Sequence, residues 1–139
     1  MNHVEKGNAV LINSYKVGIV LEVLRKGVTA KSQQVPKGIH VDKVYPLPLT
    51  IPILMNNLGF LRNQERKNLF HHPQYNGLSL ILSGETFYVA DIMQHPSGKK
   101  IQFVHQFQNY HFWATDIELV FSPDWERVDP DEKPTFMNH

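Results

Sequence analysis

The stretch FVHQFQNYHFWATDIEL, residues 103–119, decides how the rest of the chain is interpreted. At about 100° per residue it predicts an α-helix with one apolar stripe. The stripe consists of Phe103, Phe107, Tyr110, Ala114 and Ile117. Because an amphipathic helix buries its apolar stripe, we expect this face to pack on a sheet.

The opposite side of this predicted helix is rich in amides and aromatic rings and almost free of charge. It carries His105, Gln108, Asn109, Phe112 and Asp116. A face that is merely solvated would favour Glu, Lys and Arg, which are better helix formers. Amides beside an aromatic ring can hydrogen-bond the edge of a heterocycle or peptide and stack on its flat face. Two interpretations stay open: a ligand surface, or a face covered by a second layer in which the amides satisfy backbone groups.

The N-terminal third is typical of short strands joined by tight turns. In KVGIVLEVL (16–24) apolar residues recur with a period of two, as in a strand. Residues 8–45 therefore predict three or four strands in a small curled sheet, like an SH3 or Tudor-type barrel. The prolines of PLPLT (46–50) end this region. A short helix should follow, with Thr50 as its N-cap and Gly59 just after its last residue.

The fold class predicted from these patterns is α+β. A small N-terminal SH3/Tudor-like β-barrel is followed by a helix, an antiparallel sheet and the C-terminal aromatic-rich helix. The second sheet is expected from strand-like segments within residues 69–93, whereas residues 62–68 and 95–99 are expected to form loops or turns.

We divide the chain into three parts. Residues 1–48 form the predicted barrel-like subdomain, residues 49–121 an α+β subdomain, and residues 122–139 an extended acidic tail. The tail contains three prolines and five acidic residues, which argues against a packed element. Trp125 is the exception, and we expect it to dock the tail on the body of the protein.

Composition and motifs exclude several chemistries. With no cysteine among 139 residues, the chain has no disulfide, no thiol nucleophile and no thiolate metal site. The eight histidines show no zinc-binding spacing, and no P-loop, G-x-S-x-G or dinucleotide fingerprint occurs. We therefore expect no metal, no cofactor and no catalytic residue, and hence a binding protein rather than an enzyme.

Charge is spread unevenly along a chain whose net charge is +1. Residues 1–43 carry seven Lys and Arg against three Asp and Glu, a mildly basic front that could attract phosphate-bearing partners. Lysines that protect strand edges from aggregation explain the same pattern. The chain has no run of about 18 apolar residues and no apolar secretion signal. These features predict a cytoplasmic protein with no membrane partner.

Two stretches carry a family resemblance. The first, VYPLPLTIPILMNNLGF (44–60), contains a P-x-P-L-T motif and a helix ending in Gly-Phe; the second is the V-H-Q-x-Q-N-x-x-F motif of residues 103–119. Matching positions are Pro46, Pro48, Leu49, Thr50, Leu54, Gly59 and Phe60, then Val104, His105, Gln106, Gln108, Asn109, Phe112, Thr115, Glu118 and Leu119. In this order they resemble an uncharacterised family of small proteins of Bacteroides-type bacteria and their phages and mobile elements.

The resemblance implies a setting, that of a phage or mobile-element accessory protein, rather than an activity. The chain departs from the family pattern at Trp113, where a small residue is usual, and at Asp116-Ile117, where Gly-Glu is usual. These departures fall near the C-terminal end of the predicted helix. We expect the acidic tail to dock there.

The functional prediction is a non-enzymatic accessory protein of anti-defence type, which sequesters a small nucleotide-derived host molecule or inhibits a host protein. The predicted ligand-binding residues are His105, Gln108, Asn109 and Phe112, with Lys16 or Lys31 neutralising a phosphate. The alternative is an adaptor whose basic N-terminal barrel grips a protein segment or nucleic acid. A third interpretation is a structural subunit of a homo-oligomer that self-associates through Trp125 and the tail.

Overall fold

The computed structural model describes residues 3–13 and 15–126, except for the side chain of Glu126. Within these residues the chain forms ten β-strands, one α-helix, one π-helical turn and one 3-10 turn. The strands make two antiparallel sheets of five strands each. This mixed, strand-rich architecture is consistent with the α+β class that the sequence predicts.

The N-terminal sheet is an open meander. Its strands are β1 (Ala9–Leu11), β2 (Val17–Val23), β3 (Val28–Lys31), β4 (Ile39–Val41) and β5 (Tyr45–Pro46), in the order β4-β3-β2-β1-β5. In the described part of the chain the edge strands β4 and β5 do not pair, so the sheet does not close into the SH3/Tudor-like barrel that the sequence predicts. A physical reason lies in β5, which has only two residues and ends in a proline that lacks a backbone N–H.

The sequence of strand β2 predicts one buried face, whereas in the structure both faces are covered. Ile19 belongs to the main core. Its neighbour Val20 points to a smaller cluster with Val10, Val28 and Ala30 on the other face of the sheet. The register between β2 and β3 shifts after Val20, so the strict alternation does not reach the end of the strand.

The linking helix is short and wide. Residues Ile53–Asn57 form a π-helical turn, in which the Leu58 N–H donates to the Ile53 carbonyl at 3.1 Å. Gly59 follows with φ +79°, as the sequence predicts for the residue after a helix. Thr50, the predicted N-cap, accepts a long hydrogen bond from the Ile53 N–H through its hydroxyl at 3.3 Å.

The second sheet contains two strands that the sequence patterns do not predict. Its members are β6 (Leu61–Arg62), β7 (Leu69–His71), β8 (Leu80–Ser83), β9 (Thr86–Ala90) and β10 (Pro96–Ile101), in the order β10-β9-β8-β7-β6. The expected loops at 62–68 and 95–99 overlap β6 and β10 and are wrong there. Both strands are sheet edges with exposed basic side chains, so they lack an alternating apolar pattern.

Helix α1 spans Val104–Thr115 and is shorter than the predicted 103–119. Gln106 starts it by accepting from the Phe103 N–H at 3.4 Å, and Asp116 ends it in a left-handed conformation with φ +62°. The predicted core stripe is wrong in its C-terminal half, because Ala114 is exposed and Ile117 lies beyond the helix. The buried residues are Val104, His105, Phe107, Gln108 and His111.

The main core lies between the two sheets and α1. It combines β1 and β2 side chains such as Ala9 and Ile19 with Phe60, Phe70 and Phe107. The core therefore contains residues from both of the subdomains that are predicted to divide after residue 48. The aromatic rings of Phe60 and Phe107 meet at 5.5 Å between centroids.

The described part of the C-terminal tail is docked on the π-helical turn. Asn57 Nδ2 donates to the Ser122 carbonyl at 2.8 Å and to Asp124 Oδ1 at 2.9 Å. Pro123 is buried and Trp125 is half-buried, as expected for a tryptophan that docks this segment. The rest of the predicted acidic tail, residues 127–139, lies outside the described residues.

Candidate functional site

The inner face of α1 carries an amide that joins distant parts of the chain. Gln108 is buried, and its Oε1 accepts from the Ala9 N–H at 2.9 Å. Its Nε2 donates to the Gly7 carbonyl at 3.1 Å and to the Leu119 carbonyl at 2.9 Å. Gln108 thus satisfies backbone groups of the N-terminal sheet and of the segment after the helix, which is the second interpretation that the sequence left open.

Asn109 holds the N-terminal segment against the helix. Its Oδ1 accepts from Asn8 Nδ2 at 2.8 Å, and its Nδ2 donates to the His3 carbonyl at 3.3 Å. Asn8 also accepts from the Glu5 N–H at 2.7 Å, which curls the segment into a turn. We call residues 3–8 the N-terminal strap. The strap forms one wall of the grooves beside α1.

His105 is buried in the described structure, with 7% of its surface exposed. Within the described residues, its Nδ1 atom is buried without a hydrogen-bond partner. The ring lies nearly parallel to that of Phe103, with 6.1 Å between centroids. Burial lowers the pKa of His105, and the neighbouring His3 lowers it further, so the neutral imidazole is favoured.

A wide groove of about 940 Å³ runs between the strap, the end of β10 and the outer face of α1. We call it the α1 groove. Its walls include Phe103, His105, Asn109, Tyr110, Phe112 and Trp113. Phe112 is 46% exposed and Trp113 is 79% exposed, so this wall is aromatic and open to solvent. The rings of Tyr110 and Trp113 lie 5.8 Å apart at 31°.

The charges of the α1 groove are few and mixed. Lys99 lies at the end of β10 with its Nζ 4.9 Å from the centre of the Tyr110 ring, a cation–π contact. Glu5 and Asp116 bring two carboxylates to the same groove, and His3 Nε2 lies 3.0 Å from Glu5 Oε1. Sequence patterns do not single out Lys99, because the strand that positions it has the composition of a turn.

A smaller groove of about 390 Å³ lies on the other side of the strap. Gln108 and Lys31 line this groove, while Asn109 and Phe112 line both grooves. Of the predicted ligand-binding set, the structure therefore brings His105, Asn109 and Phe112 together in the α1 groove. It places Lys31 beyond the strap, where Lys6, Glu5 and Glu118 are neighbours.

Lys16, the other cation predicted to neutralise a phosphate, lies at neither groove. It lines a third groove of about 570 Å³, which also contains Trp125. This groove shares no lining residue with the α1 groove. The residues just before β2 and the segment 121–125 are about a hundred positions apart in the chain, so no local sequence pattern predicts that they meet.

His111 is a buried residue to which sequence reasoning assigned no role. Its Nε2 accepts from the Leu78 N–H at 3.1 Å, which leaves the ring proton on Nδ1 to donate to the Ile117 carbonyl at 2.9 Å. Burial lowers its pKa, against the smaller opposing effect of the Ile117 bond. These bonds fix one tautomer and tie α1 to the chain before β8, a structural role.

Across residues 3–13 and 15–126, no three His, Asp or Glu side chains cluster closely enough to hold a metal ion. The one α-helix described has twelve residues, too few to cross a bilayer. No protein-family model, curated protein or solved structure matches the chain.

Proposed function

We propose that the protein is a non-enzymatic binding protein that holds a small, flat, nucleotide-derived molecule in the α1 groove. The observation that carries this proposal is the exposed aromatic wall formed by Phe112 and Trp113. Large exposed aromatic rings are costly in water, and patches of them mark ligand or partner sites. A heterocycle stacked on these rings would remove them from water.

The buried imidazole beside this wall adds polar specificity. Ligand sites are mostly apolar, with a few placed polar groups that fix orientation. His105 lines the groove and has an unpartnered Nδ1 in the described structure. Because buried polar atoms are normally hydrogen-bonded, a ligand that supplies a partner to this ring would add a bond that the described residues do not provide.

The charges of the groove limit the ligand. Lys99 can neutralise one phosphate next to the aromatic wall, whereas Glu5 and Asp116 repel further negative charge. The site therefore suits a nucleoside or monophosphate better than a triphosphate. A volume of about 940 Å³ is enough for such a molecule, at the upper end of the range for ligand pockets. The family resemblance implies the setting of a phage or mobile-element accessory protein, and within that setting we propose that the groove sequesters a host molecule.

A second candidate is inhibition of a host protein through the same wall. Trp113 is 79% exposed and stands at the rim, more exposed than a ring that only lines a small-molecule site needs to be. Tryptophan is enriched among residues that anchor protein interfaces. A host protein with an apolar pocket would bury this ring together with Phe112.

Native mass spectrometry of freshly purified protein tests the proposal. We expect a carried small molecule in the wild type, and we expect the Trp113→Ala variant to lose it. Ile92→Ala is the matched control, since Ile92 is 97% exposed and lines no groove described above. The same spectra give the subunit count.

Thermal shift measurements then rank adenosine, AMP and ATP. We expect stabilisation by adenosine and AMP and less by ATP, and we expect Trp113→Ala to remove these shifts. If the protein carries no small molecule and none of the three nucleotides raises its melting temperature, the small-molecule proposal fails and the host-protein candidate takes its place.

A further inference from the structure

The third groove is a site that the proposed function does not use. It lies where the residues before β2, the loop at residues 33–34, the π-helical turn and the segment 121–125 meet. We call it the C-terminal groove. Its volume of about 570 Å³ lies in the middle of the range for small-molecule sites. It has an apolar floor and a polar rim, and each suits a different part of a ligand.

The floor of the C-terminal groove is built by core residues. Leu47 and Phe121 are 7% and 6% exposed and belong to the main hydrophobic cluster, against which Ile53 packs. A rigid floor of this kind accepts an apolar or aromatic body without rearranging the fold. Burial of such a body contributes about 25 cal/mol for each Å² removed from water.

The rim offers hydrogen-bond donors that lack acceptors. Among the described residues, the Lys16 ammonium has no ion-pair partner, and the buried Nε1–H of Trp125 has no hydrogen-bond acceptor. An indole N–H and an ammonium can only donate. The Tyr15 side chain stands beside them and is exposed. A ligand that satisfies this rim must therefore bring acceptor oxygens.

The nearby acid restricts how much negative charge the ligand can carry. Asp124 also lines the groove, and its Oδ1 already accepts from Asn57 Nδ2 at 2.9 Å. Among the described residues that line the groove, a dianionic phosphate would meet one cation, Lys16, and one carboxylate, Asp124. A carboxylate carries a single charge, has two acceptor oxygens and matches one ammonium and one indole N–H.

We propose that the C-terminal groove binds a small carboxylic acid with an apolar or aromatic body. The carboxylate accepts from Lys16 Nζ and from the Trp125 indole, and the body covers Leu47 and Phe121. This site is independent of the α1 groove, since the two share no lining residue. Lys16 would then bind an anion in the C-terminal groove rather than a phosphate in the α1 groove.

The two tryptophans of the chain make the test selective. Trp113 lines the α1 groove and Trp125 lines the C-terminal groove, so each indole N–H resonance in a proton–nitrogen correlation spectrum monitors one groove. Trp113→Phe and Trp125→Phe assign the two signals. Phenylacetate is the probe, and phenylacetamide is its neutral counterpart of the same shape.

We expect phenylacetate to shift the Trp125 resonance saturably and to leave the Trp113 resonance in place. Phenylacetamide should bind about tenfold more weakly, because it lacks the charge-assisted bond to Lys16. Lys16→Met should weaken phenylacetate to the level of the amide. Lys37→Met is the matched control, since Lys37 is exposed and lines none of the three grooves.

Three results would overturn the proposal. They are an unmoved Trp125 resonance at millimolar phenylacetate, equal affinities for the acid and the amide, and wild-type affinity in Lys16→Met. Each of these leaves the α1 groove untouched, because the Trp113 resonance follows that site separately. A failure of the carboxylate site is therefore distinguishable from a failure of the proposed function.

Discussion

Replacing Gln108 by Met tests whether the inner amide of α1 holds the N-terminal sheet and the C-terminal segment together. Met has a similar length and no amide, so packing is nearly kept. The change leaves the Ala9 N–H and the carbonyls of Gly7 and Leu119 without their partner. Each unsatisfied buried group costs about 1–3 kcal/mol. Because Gly7 is only half-buried and water can reach its carbonyl, the loss comes mainly from the other two groups, and we expect a total of about 2–6 kcal/mol.

Urea unfolding, followed by tryptophan fluorescence and circular dichroism, measures this loss. A domain of this size is typically stable by about 5–15 kcal/mol, so the Gln108→Met variant should be strongly destabilised or partly unfolded. Gln64→Met is the matched control, because Gln64 is exposed and shows no side-chain hydrogen bond among the described residues. A Gln108→Met variant within about 0.5 kcal/mol of the wild type would refute the structural role of this amide. Gln108 would then return to the ligand-binding set.

Three further predictions concern packing, pH and charge. Gly77→Ala should destabilise the fold by about 1–3 kcal/mol, because the added Cβ would lie 2.3 Å from His111 Nε2. Gly98→Ala is the control, since a Cβ added at Gly98 meets nothing within 4 Å and should leave the stability unchanged. Burial lowers the pKa of His72, His105 and His111, so their contribution to stability is complete above pH of about 6.5 and is lost as the pH falls below it. The melting temperature should drop over that range, and a flat profile down to pH 5 would contradict this. If the basic N-terminal sheet grips nucleic acid instead, binding to an oligonucleotide should weaken steeply with added salt, and an unchanged affinity would exclude that alternative.

The sequence predicts those elements that are determined by residues close together in the chain. The period-two strands of the N-terminal region, the glycine after the π-helical turn and the start of α1 follow from neighbouring residues. Strand β10 escaped prediction because Ser97, Gly98, Lys99 and Lys100 give it no alternating apolar pattern. It exists because β9 beside it offers free backbone groups, and a sheet edge tolerates polar side chains.

The orientation of α1 depended on contacts that its own sequence does not contain. The predicted stripe assumed that apolar residues define the buried face, whereas the true buried face includes Gln108 and His111. Gln108 finds its partner at Ala9, about a hundred residues away, and His111 finds its partner at Leu78. Such long-range hydrogen bonds cannot be inferred from helical periodicity.

The candidate site was predictable only where its residues are close together in the chain. His105, Asn109 and Phe112 share a helix, so their spacing alone brings them to one groove. The cations could not be located from sequence, because the position of Lys16, Lys31 or Lys99 relative to α1 depends on how whole sheets pack. The resemblance to phage and mobile-element proteins stays a prediction.

The central claim is that the outer face of α1 binds a ligand while its inner face stabilises the fold. A titration followed through the Trp113 indole resonance tests this claim most directly. The titrants are the small-molecule fraction of a bacterial extract and then AMP. We expect a saturable shift of Trp113 with Trp125 unmoved. A Trp113 signal that stays constant throughout both titrations would contradict the claim.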